Sequence, residues 1–441
     1  MRKIVWHWIA VFCIALGAVW SNSSQGEDPI ITAAEFVSNI GVTSDGWEAS
    51  CDEIDDSSCD SAGGSKCGCK CCCKCDPWVI SRESMFCDDC WNLDCVTNAL
   101  SYETCCSKFA ITGGAHHWWH QSLRGAGGGY GIPGIRSTYF WYLRPDIEYD
   151  LGGGRKVGAR GELRLRETGN FRGFIDQSTW PWEAYAYVSD EDWGTLKGGL
   201  IYTQFGLFWG NAWFGNAAYF DGFKLDADYG FSWERTREVN KCFKVDTYAQ
   251  FFLHEDQSNG SFGGADPESV VNYTERNTGI VRMVPTWTRG DGSVIALGIS
   301  GKVGMNDSRT PTLQDQIIGA YGVDATYTRG RWRLFAEGMQ HFGIQNPVRY
   351  VSGGPSNRIT NFLAGADYTV GAVTYRAAYS NSLDANPDAR QNMFVGGTTI
   401  TLTKNVDLYI EYVYQRIDGN AVAASNGEVF NAVEYIINWH F

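Results

Sequence analysis

The last residues of the chain alternate between apolar and polar side chains and end on a phenylalanine. In Val433–Phe441 every second residue is apolar, and most of the residues between them are polar. Because successive side chains of a β-strand point to opposite faces, this segment predicts a strand with one apolar and one mostly polar face. Such a strand can end a soluble sheet or close a barrel, and the residues before it decide between the two.

The same alternation recurs from about residue 137 to the end of the chain. In 160–166 leucines occupy one face and charged residues the other, and 225–234 and 243–251 repeat the scheme. A soluble antiparallel sandwich with one solvent-exposed face has this pattern too. So long a series of strands would, however, leave exposed edge strands in a sandwich, whereas a sheet closed into a barrel has none. We therefore predict an all-β protein: a transmembrane antiparallel up-and-down β-barrel, preceded by a small Cys-rich irregular module.

Outer-membrane barrels have an even number of strands, and about 16 fits this chain best, with 14 and 18 as the neighbouring choices. A barrel of this size leaves an aqueous lumen. Short links such as 370–371 and 404–405 suit periplasmic turns, and longer segments such as 255–272 and 345–358 suit external loops. The predicted strands begin near residues 137, 155, 170, 182, 195, 219, 239, 273, 294, 316, 331, 357, 372, 390, 405 and 429.

Composition agrees with a barrel. The chain contains 18 Trp, 22 Tyr and 23 Phe, and a barrel uses such residues in girdles at both membrane interfaces. Its mean hydropathy of −0.26 is compatible with membrane insertion because only alternate residues of each strand face lipid. The net charge of −14 argues against nucleic acid as a partner.

The N-terminus has the pattern of an export signal. Two basic residues precede an apolar run at 4–19, and small residues follow it. We assign 1–26 to a signal peptide. An N-terminal transmembrane anchor is the alternative, which the short run and the polar residues after it disfavour.

Cysteines are concentrated in Cys51–Cys106, within a segment that we assign to a Cys-rich module at 27–124. In an oxidising compartment such clustering favours disulfides. Thiolate binding of a metal and a redox centre are the alternatives, and no other cofactor is expected. The module precedes the first strand, so we expect it in the periplasm. The candidates for disulfide formation or metal binding are Cys67, Cys69, Cys71, Cys72, Cys73, Cys75, Cys87, Cys90, Cys95, Cys105 and Cys106.

Histidines and tryptophans cluster at 116–120, near the end of this module. We interpret the cluster as an interfacial anchor of amphipathic rings rather than as a metal site. The glycine-rich segment 125–136 has the composition of a flexible linker. The residues after it, 137–441, form the predicted barrel.

The export signal, the alternating strands and the C-terminal Trp439-His440-Phe441 together resemble outer-membrane porins of diderm bacteria. Segment 196–206, followed by 219–225, looks like the G-x-x-Y-x-x-F-G … F-D-G run of several porin families, including the alginate-export type. The resemblance covers about 135–441 and leaves the Cys-rich region outside. It implies an outer-membrane channel whose C-terminus is read by the barrel-assembly machinery. The residues that would form this assembly signal are Tyr435, Ile437, Trp439 and Phe441.

Charged residues on the polar strand faces are the candidates for a selectivity lining, because the charges at a constriction decide which solutes pass. Arginines that face carboxylates across the lumen would create a transverse field. Solvated salt bridges that only keep the wall wet are the simpler alternative. The pore-lining candidates are Arg160, Glu162, Arg164, Arg166, Asp226, Asp228, Glu234, Arg331, Arg333, Glu337, Arg376 and Glu411.

The function we expect is passive diffusion of small hydrophilic solutes through a water-filled barrel. A channel specific for an anionic saccharide, and a structural barrel whose Cys-rich module binds an envelope partner, are the alternatives. We expect no enzymatic activity, because no nucleophile motif such as Gly-x-Ser-x-Gly accompanies the histidines. The expected partners are outer-membrane lipid, the assembly machinery, small solutes and further copies of the chain in a homotrimer.

Overall fold

The computed structural model describes residues 100–104, 106–124, 135–167, 177–207, 227–254, 273–308, 316–342, 358–384, 389–418 and 428–441. The predicted signal peptide, every cysteine before Cys106 and most of the glycine-rich segment lie outside these residues. All described residues belong to one compact unit of the chain, Cys51–Phe441. Among them there is no helix whose length and apolar character would let it cross a membrane.

The described residues form β-strands joined by turns. The strands are β1 (Ser101–Glu103), β2 (Ser107–Arg124), β3 (Ile135–Gly152), β4 (Arg155–Glu167), β5 (Gln177–Asp190), β6 (Gly194–Tyr202), β7 (Ala227–Asn240), β8 (Phe243–His254), β9 (Tyr273–Thr288), β10 (Val294–Ser308), β11 (Gln316–Arg329), β12 (Trp332–Phe342), β13 (Arg358–Val370), β14 (Val373–Asp384), β15 (Ala389–Thr403), β16 (Val406–Asp418) and β17 (Glu428–His440).

Strands β2 to β17 each pair antiparallel with their neighbours in sequence, and β17 pairs back with β2, so that 16 strands close a barrel. At this seam the backbone N–H of Phe441 donates to the Gly113 carbonyl at 2.9 Å. A Cβ at Gly113 would lie 2.9 Å from the Phe441 ring, so the close approach of the two strands requires a glycine. The short β1 pairs with β2 just beyond the point where β17 ends. The predicted all-β closed barrel is confirmed.

The two rims of the barrel differ in their connections. On one, which we call the short-turn rim, the connections are tight, such as those at 153–154 and 371–372, whereas the opposite rim carries longer segments such as 255–272. In one turn of the short-turn rim the Ser293 hydroxyl donates to the Asp291 carboxylate at 2.7 Å, which lowers the pKa of that carboxyl. The predicted alternation of short and long connections is thus present in the fold.

Apolar side chains line the outside of the barrel. Phe231 and Phe251, on neighbouring strands, and Tyr375 are about half exposed, whereas the inward-facing Ser232 and Gln250 are buried. A soluble protein rarely exposes contiguous apolar surface of this extent, but a barrel in lipid requires it. The pattern fits the outer membrane as the location of the chain.

The barrel begins at β2 and not at residue 137. Strand β2 lies inside the segment 27–124 that the sequence analysis gave to the Cys-rich module, and β3 begins at Ile135, whereas residues 125–134 of the predicted linker lie outside the described part of the chain. The alternation was hidden because rings occupy both faces of β2: His117 stacks on Tyr139 outside, while Trp118 packs against an inner cluster. The strand predicted near 182 is β5, and the start predicted near 170 lies outside the described residues.

Candidate functional site: the barrel lumen

After β6 the chain turns into the lumen. Residues Thr203–Leu207, here called the crossing segment, donate backbone hydrogen bonds to side chains progressively further around the barrel. Their N–H groups reach Gln250 on β8 at 2.7 Å, Ser300 on β10 at 3.1 Å and the carboxylate of Glu337 on β12. The segment therefore runs inside the barrel, past the inner side chains of β8, β10 and β12.

Apolar contacts with the barrel wall also hold the crossing segment. Phe205 packs in a buried cluster that includes Met339 and Ile359. Leu207 packs against a second cluster that ends at Ala378 on β14. In the closed barrel β14 stands directly opposite β6, so the cluster on which Leu207 packs extends to the far wall. A lumen crossed in this way is narrower than the barrel itself.

A network of polar groups fixes the height of the crossing segment. Ser300 accepts hydrogen bonds from the Gly206 N–H and from Arg282, at 3.1 and 2.8 Å. Arg282 in turn forms a bidentate pair with Asp324 at 2.6 and 3.0 Å, a geometry that fixes both side chains. Gly206 has a φ of +67°, and a Cβ there would lie 2.9 Å from Glu337. Only glycine fits this position without strain.

The lumenal faces of β3 and β4 carry a cluster of arginines, which we call the arginine wall. Arg144 pairs with Glu162 through Nε at 2.6 Å, and Arg164 contacts the other oxygen of the same carboxylate. Arg160 pairs with Asp146 at 3.2 Å. One carboxylate thus holds two guanidinium groups, which leaves part of their positive charge uncompensated.

Aromatic rings hold two of these arginines in place. The Arg164 guanidinium lies 3.4 Å from the ring centre of Trp182, and Arg144 lies 4.5 Å from that of Tyr142. Trp182 also contacts the ring of Tyr202, at 5.4 Å between centroids. Such stacking orients a guanidinium without neutralising it.

In the ion pairs of this wall the cation is more exposed than the carboxylate. The Arg144 side chain is 44% exposed and Glu162 6%; Arg160 is 49% exposed and Asp146 34%. Lys156 and its partner on β3 show the same order, with 45% and 29%. A solute in the lumen would therefore meet positive charge first.

The opposite side of the lumen, formed by β12 to β17 and called the packed wall, also contains charges but buries them. Arg376 pairs with Asp367 at 3.0 Å and stands 3.9 Å from Glu411, and all three side chains are less than 10% exposed. Arg333 shares Asp367 at 3.4 Å. These charges compensate one another within the wall.

The structure places most of the predicted pore-lining residues on inward faces, but in separate groups. Arg160, Glu162 and Arg164 belong to the arginine wall. Glu337 contacts the crossing segment, and Asp228 is buried on β7. Arg333, Arg376 and Glu411 belong to the packed wall. The side chain of Arg166 and the whole of Asp226 lie outside the described residues.

One detail of the predicted lining is wrong. Arg331 does not share a strand face with Arg333, because it is an exposed residue of the turn before β12. Glu234 pairs with Lys197 of the adjacent strand at 2.7 Å. A cross-strand neighbour of opposite charge is a closer partner than the far wall.

The sequence analysis missed several residues of the lumen. Phe205 and Gly206 were noted only as part of a family-like run, and Arg144, Arg282 and Asp324 were not selected. The alternation places each of these three on a polar strand face. Nothing in it indicates which polar residues meet the chain that folds inward.

The described residues contain no group of three or more His, Cys, Asp or Glu side chains that could hold a metal ion. Cys106, the one predicted cysteine candidate among them, is exposed just before β2. The other cysteine candidates lie outside the described residues.

A closed 16-stranded barrel crossed by an internal segment defines an outer-membrane channel. The model of the Gram-negative porin family matches residues 117–420, which is more than half of the chain. The chain belongs to this family, whose members are channels rather than enzymes. No curated protein is significantly similar to it in sequence.

Solved porin structures share the fold at low sequence identity. OmpF of Salmonella typhi, solved in complex with daunomycin, is 15% identical, with a TM-score of 0.57 over 77% of this chain and 100% of that one. The outer-membrane channel DcaP of Acinetobacter baumannii is 14% identical, with a TM-score of 0.54 over 77% and 99%. An anion-selective porin from Comamonas acidovorans is 16% identical, with a TM-score of 0.51 over 76% and 100%. These likenesses concern the fold alone.

Proposed function

We propose that this porin lets small hydrophilic solutes diffuse passively through a narrowed lumen and that it prefers anions. The observation that carries the preference is the unequal exposure of charge on the arginine wall. Arg144 and Arg160 expose nearly half of their side chains, whereas Glu162 is almost fully buried. Charge that reaches the water of the lumen attracts counter-ions, and buried charge that is compensated within the wall does not.

The chain as a whole has a net charge of −14, which does not decide the selectivity. Ionic screening acts over about 10 Å at 0.1 M salt, so an ion in the lumen responds to the nearest charges. On the packed wall the carboxylates of Asp367 and Glu411 are buried beside arginines. Among the described residues, the accessible charge of the arginine wall is therefore positive.

The test is the reversal potential of the refolded protein in planar bilayers under a KCl gradient. Replacing Arg144, Arg160 and Arg164 together with serine should lower the ratio of anion to cation permeability about threefold or more, because the field of the wall is lost. The matched control is Arg155→Ser, since Arg155 lies on the same strand at the short-turn rim, where its side chain is 69% exposed.

An unchanged permeability ratio in the triple serine variant would exclude the arginine wall as the source of selectivity. An equal loss in Arg155→Ser would indicate that overall charge, and not the narrow part of the lumen, sets the preference. A protein without any conductance after refolding would contradict the channel itself.

A channel for anionic saccharides is the second candidate, and the exposed guanidinium groups of Arg144 and Arg160 favour it. A guanidinium can bind a carboxylate through two hydrogen bonds. Saturable block of the conductance by a sugar acid, absent with the neutral sugar, would select this candidate over the general pore.

The remaining expectations stay proposals. A homotrimer is supported by a groove of small residues, among them Ala159, Ala184 and Gly198, on the outer face of β4 to β6, where another copy could approach closely. Assembly through the barrel machinery is supported by the position of Phe441 at the closing seam. A periplasmic Cys-rich module is supported by β1, which leads the chain into the barrel at the short-turn rim.

A further inference from the structure

One cysteine belongs to the barrel itself and stands far from the others in the sequence. Cys242 lies in the tight turn between β7 and β8, on the short-turn rim. Its N–H donates to the side chain of Asn240 at 2.9 Å, and its carbonyl accepts from the N–H of Thr288 on β9 at 2.8 Å. The turn is thus held by both neighbouring strands. The side chain of Cys242 is disulfide-bonded, so a second cysteine meets it at this rim.

The other described cysteine is too distant to be this partner. Cys106 lies at the start of β2, where its carbonyl accepts from the N–H of Asp150. Around the closed barrel, β8 stands six strands from β2. At about 4.8 Å per strand the path along the wall is roughly 29 Å, whereas the Cα atoms of a disulfide lie within about 7 Å of each other. The partner is therefore a cysteine that precedes Cys106 in the sequence.

The length of the chain before β1 limits the choice further. An extended chain covers at most roughly 3.5 Å per residue. Cys90 stands 11 residues before Ser101, the first residue of β1, and this stretch can span roughly 38 Å. Cys95 stands only six residues before Ser101, which gives roughly 21 Å. The cysteines from Cys51 to Cys90 can reach Cys242, and those closer to β2 cannot.

Charge favours the same segment. Lys241 precedes Cys242 in the turn, Arg289 follows the residue that binds its carbonyl, and both side chains are exposed. Residues 51–99 carry ten acidic and four basic side chains. Opposite charges draw the acidic segment towards this part of the rim.

We propose that Cys242 is the barrel end of a disulfide that ties the N-terminal Cys-rich segment to the short-turn rim. Short turns of outer-membrane barrels face the periplasm, where disulfides form and persist. The bond forms by thiol–disulfide exchange. Two thiols of this chain become one disulfide, and their two electrons and two protons pass to a protein disulfide of the periplasm, which leaves as a dithiol.

The consequence is a second attachment of the Cys-rich segment. The peptide chain joins it to the barrel at β1, and the disulfide joins it about a third of the way around the rim. Reduction would remove the second attachment and leave the first. The tether goes beyond the proposed anion preference and is independent of it, because it is tested without measuring conductance.

The test maps the disulfide in the full-length protein. Outer membranes are solubilised with N-ethylmaleimide present, which blocks thiols, and the purified protein is digested with trypsin without reduction. Cleavage after Lys241 and Lys244 places Cys242 in a peptide of three residues. We expect mass spectrometry to find this peptide joined to one that contains a cysteine from Cys51 to Cys90, and reduction to release it.

Two variants complete the test. Cys242→Ser should abolish the joined peptide and add one N-terminal cysteine labelled with N-ethylmaleimide. Cys106→Ser is the matched control and should leave the joined peptide unchanged. Non-reducing electrophoresis of the denatured wild-type protein should show a monomer. Labelling of Cys242 in the wild-type protein, a bond from Cys242 to Cys106, or a dimer that reduction separates would each overturn the proposal.

Discussion

The arginine wall and the packed wall consist of the same kind of alternating strand, yet they treat charge differently. Arg160 on the first is half exposed, and its partner Asp146 is partly exposed as well. Arg376 on the second is 6% exposed and stands between two buried carboxylates. The comparison shows that a charged residue on an inner face can either be exposed to the lumen or be buried in ion pairs within the wall.

The largest expected effect breaks the packed wall. Arg376→Met would leave Asp367 and Glu411 buried with less compensation, so the free energy of unfolding should fall by about 3–5 kcal/mol. The measurement is equilibrium unfolding in urea in the presence of detergent or lipid. The matched variant Arg160→Met removes a half-exposed partner and should cost at most about 1 kcal/mol. Equal losses in the two variants would contradict the distinction between the walls.

A smaller effect is expected where the crossing segment meets the packed wall. Glu337→Ala removes the acceptor of the Leu207 N–H and should weaken the anchoring by about 1.5–3 kcal/mol, as for a hydrogen bond to a charged group. Single-channel recording should then show a larger and noisier conductance, because the segment is less restrained. Glu148→Ala, on the side of the arginine wall, should change neither the size nor the noise, and the idea fails if both variants behave alike.

The smallest effect concerns Ser300, which accepts hydrogen bonds from both Gly206 and Arg282. Ser300→Ala removes one neutral acceptor for Gly206 and for Arg282, and the cost should be about 1 kcal/mol. Arg282 keeps its bidentate pair with Asp324, so the barrel should stay closed and the mean conductance should change little. Single-channel recording should show increased open-channel noise and an unchanged ion preference. A shift in ion preference would show that Ser300 acts beyond the crossing segment.

Most of the fold could be predicted from the sequence because successive residues of a barrel strand point alternately to lipid and to the lumen. The runs at 160–166 and 243–251 lie on β4 and β8 as expected. Strand β2 was missed because its outer face carries His117 beside Trp119, which breaks the contrast between apolar and polar positions. Alternation is a reliable signal only where the face towards lipid is uniformly apolar.

For the site, the sequence by itself determined that the polar strand faces carry charged residues, and it also placed the chain in an outer membrane through its strand pattern and its terminal Phe441. Only the tertiary structure decided that Glu162 is shared by Arg144 and Arg164, that Arg331 lies in a turn, and that 203–207 cross the lumen. The physical reason is that strand periodicity is local, whereas the partner of a lumenal side chain depends on the register of adjacent strands and on the path of a chain that crosses to the far wall.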